Sequence, residues 1–314
     1  MLSAFLEDAV QVGGRDTLPL QCLSLLGSEP PSPLPAEIDI YYSAHPRQAH
    51  EQLLALSAAA DLTLIIAPET EGILLQQFDY IQSAGSQWLG PDRPTLEICS
   101  DKFQLAQLWN RLALPTPATE LLANYVESNK DQKFPLVLKP RDGAGGDQTW
   151  RIESPDEFQR FLEYTTPEEQ QLYLVQPFIE GVACSISILS LNETDHFFPP
   201  GEQRIDWENG FHYHGGTLPL KMPTETIALL HESIQTIRSS LPGLSGYWGL
   251  DFVWNPESID QPVTLIEINP RLTTSYLGYR QLTSLNLAEL WLNDAGLIGQ
   301  ETGTIPWQTE PVSF

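Results

Sequence analysis

The sequence predicts an α/β fold, and the first hundred residues carry the observations that predict it. Apolar residues recur at helical spacing over Leu2–Val12, which is typical of an amphipathic helix. A mainly apolar run then extends from Asp61 to Ala67, as expected of a parallel strand buried on both faces. Pro68–Gly72 follows it as a loop at a strand end, where α/β sheets place ligand-binding groups. These segments predict a Rossmann-like unit, but no Gly-x-Gly-x-x-Gly follows, so a dinucleotide site is not indicated.

The charge balance narrows the classes of partner. The 314 residues include 41 acidic and 16 basic side chains, which gives a formal net charge of −25. A surface this acidic repels phosphate backbones and anionic lipids, so we expect small-molecule substrates and neither nucleic acid nor membrane as partners. Apolar runs such as Leu62–Ala67 are too short to cross a bilayer, and no basic segment of a signal peptide follows Met1. We therefore expect a cytoplasmic protein.

The rest of the chain predicts further alternating elements. Pro91–Thr95 is interpreted as a linker, and Ser100 as the N-cap of a helix that continues to about Leu112. The later elements, in chain order, are strand Phe134–Lys139, helix Pro155–Tyr164, strand Tyr173–Gln176, a strand region beginning at Ile186–Leu191, helix Thr224–Leu241, strand Gly246–Trp254 and its hairpin partner Val263–Ile268.

A lysine and a glycine-rich loop follow one of these strands. The strand delivers Lys139, and the loop after it contains Gly143, Gly145 and Gly146. Glycines let backbone N–H groups approach a polyphosphate closely, and the lysine supplies a point charge. A strand followed by an ordinary surface loop would give the same pattern. The loop is not a Walker A motif, because no Gly-Lys-Ser/Thr follows.

Acidic and amide side chains meet on the predicted hairpin. Glu267 and Asn269 are two residues apart on a strand and therefore share a face, which Asp251 on the preceding strand can reach. Two carboxylates and an amide oxygen are ligands that suit Mg²⁺ or Mn²⁺. Arg271 follows at a position where it can counter developing phosphate charge. The alternative is a solvated face of the sheet.

Together these motifs resemble the ATP-grasp superfamily. The segments that carry the resemblance are, in order, Ser100–Lys102, Leu138–Pro140 with its glycine-rich loop, Val175–Gly181, Asp251 and Glu267–Arg271. The resemblance covers Pro91 to about Arg280, and the first ninety residues look like a pre-ATP-grasp domain. It implies an ATP-grasp fold, α+β in its lids, with a Rossmann-like pre-ATP-grasp domain over residues 1–93. A small lid subdomain over 94–182 and a large subdomain with the Mg²⁺ site over 183–314 would follow.

The resemblance also implies roles for residues. The implied ATP-binding residues are Lys102, Lys139, Gly143, Gly145, Gly146, Gln176, Pro177, Ile179 and Glu180. The implied ligands of Mg²⁺ or Mn²⁺ are Asp251, Glu267 and Asn269, and the implied catalytic residues are Lys139, Arg204 and Arg271. Gln176 stands where many members have an acidic residue, and its amide oxygen can still accept a hydrogen bond from the adenine amino group.

Within the superfamily, Glu202–Ile205 followed by Phe211–Pro219 resembles the branch that contains tyramine–glutamate ligase. This implies an ATP-dependent carboxylate–amine ligase, which forms an acyl-phosphate and then an amide. The implied substrates are an amino acid and an amine, with glutamate and tyramine as first choice and another amino-acid pair as runner-up. A nucleotide-binding regulatory protein without turnover and a carboxylase remain alternatives, and a homodimer is left open.

Further expectations concern the substrate pocket, the core and the chain start. The side chains expected to hold the substrate carboxylate are Arg141, Arg204, Arg271 and Arg280, and those expected to hold an ammonium are Glu69 and Glu71. We assign Trp207, Trp248 and Trp254 to the core. A pre-ATP-grasp domain usually opens with a strand, whereas this sequence opens with a helix, so we expect the native N-terminus to lie upstream of Met1.

Overall fold

The computed structural model describes residues 1–13, 20–30, 33–128, 133–191, 194–208, 210–296 and 304–314. The α-helices are α1 Leu2–Gly13, α2 Pro46–Ala59, α3 Ile73–Ala84, α4 Arg93–Ser100, α5 Lys102–Arg111, α6 Leu122–Glu127, α7 Pro155–Glu163, α8 Pro167–Gln170, α9 Thr224–Ser240, α10 Tyr276–Leu282 and α11 Leu287–Asp294. The strands are β1 Cys22–Leu26, β2 Ile38–Tyr42, β3 Leu62–Thr63, β4 Gln87–Trp88, β5 Glu120–Leu121, β6 Leu136–Pro140, β7 Trp150–Ile152, β8 Tyr173–Pro177, β9 Val182–Ser190, β10 Asp195–Phe197, β11 Gly201–Asp206, β12 His212–Leu218, β13 Gly246–Trp254, β14 Val263–Asn269 and β15 Val312–Ser313.

The N-terminal region combines parallel strand pairs with helices, as predicted. β1 pairs with β2 and β3 pairs with β4, both in parallel. The predicted strand from Asp61 to Ala67 is wrong in length, because β4 offers only two residues to pair with. Its burial is also wrong, since Leu62, Leu64 and Ile66 are only partly buried against the core around α1, α10 and α11.

The segment predicted as a linker is instead helical. Helix α4 begins at Arg93, and the Asp92 carboxylate caps it by accepting the Thr95 N–H at 3.0 Å. The next helix, α5, is capped by Asp101 and not by Ser100: Asp101 accepts the N–H groups of Phe103 and Gln104. Ser100 is the last residue of α4, so α5 begins one residue later than predicted.

A small antiparallel sheet follows, with strand order β5-β8-β6-β7. The predicted strands around Lys139 and Gln176 are confirmed as β6 and β8, and they are neighbours in this sheet. Apolar side chains of α6 and α7 cover one face of the sheet. In the register of β6 and β8, Lys139 pairs with Leu174 and Val137 pairs with Gln176. Lys139 and Gln176 therefore lie on adjacent strands of this sheet.

The large antiparallel sheet has the strand order β14-β13-β9-β11-β12-β15, with β10 also on β9. Helix α9 packs its apolar side on this sheet, and Trp248 lies fully buried between them, as assigned. The predicted hairpin is confirmed as β13 and β14, in which Asp251 lies directly opposite Glu267. None of the helices in the described ranges is both long and apolar enough to span a lipid bilayer.

Candidate active site

A cleft of about 300 Å³ lies between the small and the large sheet. Twelve residues predicted from the sequence line it: Lys102, Lys139, Gly143, Gly145, Gly146, Gln176, Pro177, Ile179, Asp251, Glu267, Asn269 and Arg271. Two others do not reach it. Glu180 and Arg204 are exposed and are not among the lining residues, whereas the neighbours of Arg204, Gln203 and Ile205, line the cleft from β11. Alternation along the strand therefore directs Arg204 away from the site.

Two carboxylates face each other in the cleft wall. Asp251 lies opposite Glu267 in the β13–β14 register and accepts hydrogen bonds from Gln203 Nε2 at 3.0 Å and Asn269 Nδ2 at 2.9 Å. Burial, together with the nearby Glu267 charge, raises the pKa of Asp251 to about 7. Because Asn269 donates to Asp251 through its amide nitrogen, its amide oxygen is the end that can accept a hydrogen bond or bind a cation.

Two lysines compensate the second carboxylate. Burial alone would raise the pKa of Glu267, but Lys102 and Lys139 hold it below its ordinary value. Lys102 Nζ lies 3.4 Å from Glu267 Oε2 and also donates to the Gly143 carbonyl oxygen of the glycine-rich loop. Lys139 is only 5% exposed, and its burial lowers its pKa to about 8. The two ammonium groups thus sit between the loop and the carboxylates.

The glycine-rich loop is folded against the large sheet. Gly145 and Gly146 have φ of 66° and 78°, a region that residues with a Cβ rarely adopt. A Cβ on Gly146 would lie 1.9 Å from the Phe211 ring, so the loop and this ring are in close contact. The Phe211 N–H also donates to the Thr149 carbonyl at 3.0 Å, which joins the end of the loop to the β11–β12 turn.

Aromatic side chains form one wall of the cleft, and the assignment of Trp207 to the core is wrong. Trp207 contacts Phe178 and Phe211 edge-on, with ring centroids 5.7 and 5.2 Å apart, and all three line the cleft. The sequence carried a signal for this: Trp207 continues the two-residue spacing of Gln203 and Ile205 past the end of β11.

An ion pair joins Arg271 to the N-terminal region. The Nε and Nη2 atoms of Arg271 donate to the two carboxylate oxygens of Glu69 at 2.9 and 3.2 Å. Glu69 is buried and committed to this pair, so the expectation that it holds a substrate ammonium is wrong for this structure. Glu71 is exposed, and its N–H donates to Asp142 Oδ2 at 2.8 Å.

Two arginines expected at the substrate lie elsewhere. Arg141 Nη2 is 2.5 Å from the Asp101 carboxylate, beside α5. Arg280 donates to Glu7 Oε2 at 2.8 Å and to Asp8 Oδ1 at 2.7 Å, which ties α10 to α1. Neither arginine lines the cleft, and the acidic residues that pair with them do not line it either. Arg271 is thus the arginine that the described residues bring to the cleft wall.

Beyond the carboxylates, the cleft is lined by hydroxyl groups that the sequence analysis did not single out. They belong to Ser185, Ser187, Tyr213, Thr273, Thr274 and Ser275. One of these hydroxyl groups, Ser187 Oγ, accepts a hydrogen bond from the buried Tyr247 Oη at 2.8 Å. Burial raises the pKa of Tyr213 to about 12, so its hydroxyl stays neutral and can donate a hydrogen bond. Single hydroxyl residues in strands carry no distinctive motif, which is why only the fold brings them to notice.

Comparisons with known proteins identify the family and the fold. Residues 99–275, more than half of the chain, match the family model of the ATP-grasp domain, and residues 24–95 match that of the pre ATP-grasp 3 domain. The tyramine–L-glutamate ligase of Methanocaldococcus fervens is 30% identical over 235 residues, which are 75% of this chain and 66% of that protein. The ligase of the same name from Methanocaldococcus jannaschii is 29% identical over 242 residues, 77% of this chain and 65% of that protein.

The matched part of the chain thus spans about two-thirds of the length of these two ligases. Among solved structures, an L-amino acid ligase from Bacillus licheniformis shares the fold with a TM-score of 0.69 and 18% identity, covering 93% of this chain and 70% of that one. The predicted fold is therefore confirmed, and the chain belongs to the ATP-grasp family, with a pre-ATP-grasp domain ahead of its ATP-grasp domain.

Proposed function

We propose that this protein is an ATP-dependent ligase that activates a carboxylate as an acyl-phosphate and joins it to an amine. The observation that carries the proposal is the convergence of two opposed carboxylates, two lysines and a glycine-rich loop in one cleft. Such a site supplies what phosphoryl transfer to a carboxylate requires, namely binding of a polyphosphate, neutralisation of its charge and fixed positions for the reactants.

The nucleotide fits the end of the cleft at the small sheet. Backbone N–H groups of the glycine-rich loop can cradle the phosphates, and Lys102 and Lys139 supply positive charge beside them. The aromatic wall, together with the segment around Gln176, would enclose the adenine base. Glu267 offsets part of the positive charge of this lysine pair, and the phosphates of a nucleotide would offset the rest.

A divalent cation fits the opposed carboxylates. Asp251 and Glu267 lie face to face in a buried wall, and their repulsion would be relieved by a cation that the Asn269 oxygen can also bind. Mg²⁺ or Mn²⁺ held there would offset the charge of the phosphate oxygens. The residues present therefore suit the metal that the family implies.

The proposed chemistry proceeds in two displacements. A carboxylate oxygen of the acid attacks the γ-phosphorus of ATP, the bond to the bridging oxygen breaks, and ADP leaves. The amine nitrogen then attacks the acyl carbon, the carbon–oxygen bond to the phosphate breaks, and the nitrogen loses a proton. Arg271, held by Glu69, would stabilise negative charge on the phosphate and the carboxylate. No nucleophilic side chain is required of the protein.

For the substrates we propose glutamate and tyramine, on the strength of the likeness to the two methanococcal ligases. The hydroxyl groups beyond the metal site support a polar acid, because they can donate to or accept from its free ammonium and carboxylate groups. Another amino-acid pair is the runner-up.

The test is ADP release with glutamate plus tyramine, compared with each compound alone, and mass spectrometry of the product. We expect release to depend on both compounds, an amide as product, and a loss of at least about a hundredfold in Lys139→Ala, whose circular dichroism should stay native. Equal ADP release with and without any amine would contradict the proposal. ADP release that requires bicarbonate would indicate a carboxylase, and ATP binding without release would indicate a protein without turnover.

A further inference from the structure

We propose that Thr119 is a positioning residue that fixes the orientation of the Gln176 amide and thereby makes the cleft select adenine over a 6-oxopurine. The inference rests on the nucleotide site of the proposed function. It concerns a residue outside the predicted site, since Thr119 lies just before β5 and is not among those that line the cleft.

The orientation of the amide follows from a short chain of hydrogen bonds. Gln176 is 4% exposed, and its Nε2 donates to Thr119 Oγ1 at 2.7 Å. Thr119 Oγ1 in turn donates to the Pro117 carbonyl oxygen at 2.8 Å. A carbonyl oxygen can only accept, and a threonine hydroxyl has a single proton, so Oγ1 is left to accept from Gln176. The nitrogen of the amide must therefore face Thr119, and its oxygen is the end left for the cleft.

The orientation matters because an amide has two unlike ends. A carboxylate presents acceptors on both oxygens and needs no such fixing, whereas a glutamine becomes a donor to the cleft if its amide turns over. Adenine carries a donor amino group at its six-position, while guanine and hypoxanthine carry an acceptor oxygen there. The fixed Gln176 oxygen thus pairs with adenine and opposes an oxygen of the other bases, which leaves buried acceptors without partners.

The test compares dissociation constants for ATP and inosine triphosphate, which differ in the six-position group and in the proton on N1. We expect the intact protein to prefer ATP by at least about tenfold. In Thr119→Val, which keeps the side-chain shape but removes the hydroxyl, the amide can turn over, and the preference should fall by about tenfold. Thr119→Ser keeps the hydroxyl and should keep the preference. Thr116→Val is a matched control, because its hydroxyl donates to the Leu265 carbonyl at 3.1 Å.

A rescue separates positioning from a merely structural role. Replacing Gln176 by glutamate in the Thr119→Val background restores an acceptor that has no donor end, so the double variant should regain the preference for ATP at about pH 8. Circular dichroism of each variant checks the fold. An unchanged preference in Thr119→Val, or a lost preference that glutamate does not restore, would overturn the inference alone. An intact protein that binds neither nucleotide would overturn the proposed function and the inference with it.

Discussion

Arg271 and Glu69 are separated by 202 positions in the chain, yet they form a two-pronged ion pair with N–O distances of 2.9 and 3.2 Å. Both side chains are largely buried, with 16% and 5% of their surfaces exposed. The arginine follows the strand that carries Glu267 and Asn269, while the glutamate follows β3 of the N-terminal region. The N-terminal region therefore holds a guanidinium in the wall of a cleft formed by the other two sheets, and fixes its plane.

Glu69→Gln should lower kcat with little change in KM for ATP. The amide keeps the size of the side chain but loses the charge that orients the guanidinium, and small misplacements of a catalytic group cost about tenfold to a hundredfold. Arg271→Ala should cost at least about a hundredfold. Steady-state kinetics with saturating substrates checks both, and Arg47→Ala is the control, since Arg47 pairs with Glu51 on an exposed helix surface. An unchanged kcat in Glu69→Gln would show that Glu69 does not position Arg271.

The affinity for nucleotide should fall as the pH rises above about 8. Burial lowers the pKa of Lys139 to about 8, so the free protein loses this positive charge above that pH. Bound phosphate favours the charged form, so binding at about pH 9 must be accompanied by proton uptake, and binding at about pH 6.5 needs no proton from this group. Calorimetry in buffers of different ionisation enthalpy measures the uptake. Lys139→Met should bind nucleotide more weakly and without this proton uptake. Equal proton uptake in both proteins would contradict the view that Lys139 takes up the proton.

Much of the proposed metal and phosphate site could be predicted because local rules position its side chains. The two-residue period of a strand puts Glu267 and Asn269 on one face, and the antiparallel register of a hairpin brings Asp251 opposite them. A strand that ends in a lysine and a glycine-rich loop is equally local. These rules determine which side chains share a face of a sheet, and in this fold that face lines the cleft.

The pairing of the arginines could not be predicted, because it depends on how distant segments pack. Arg271 and Arg280 look alike in the sequence, but Arg271 meets Glu69 in the cleft wall and Arg280 meets Asp8 on α1. The place of Trp207 in the cleft wall could not be predicted either, because a large apolar side chain suits a cleft wall as well as an interior. For both arginines the decisive contact lies far away in the chain.

Glu267→Gln and Asn269→Ala should each lower turnover by at least about a hundredfold while the circular dichroism stays native. Glu267→Gln removes the negative charge and one of the two carboxylate oxygens, and Asn269→Ala removes the amide oxygen. Both changes leave the β13–β14 pairing in place. The gain in ATP affinity on adding Mg²⁺ or Mn²⁺ should also shrink, which equilibrium binding with and without the metal measures. Glu257→Gln, in the exposed turn of the same hairpin, is the matched control. A variant of Glu267 with full metal-dependent affinity would contradict the ligand assignment.

Gly146→Ala should damage the loop more than Gly145→Ala. Both glycines have positive φ, so alanine at either position strains the backbone by about 1 kcal/mol. Only at Gly146 would the new Cβ also meet the Phe211 ring, whereas the space around Gly145 is open. We expect kcat/KM for ATP to fall at least about tenfold further in Gly146→Ala than in Gly145→Ala, because the loop can no longer pack on the β11–β12 turn.

The cause of that loss can be isolated with Phe211→Ala. If the Cβ acts by striking the ring, Gly146→Ala should have a much smaller effect in the Phe211→Ala background than in the intact protein, and a double-mutant cycle measures this coupling. Phe211→Ala alone should weaken ATP binding, because it removes part of the aromatic wall next to Trp207. Equal effects of the two glycine replacements, or strict additivity in the cycle, would show that the contact between Gly146 and Phe211 does not control the loop.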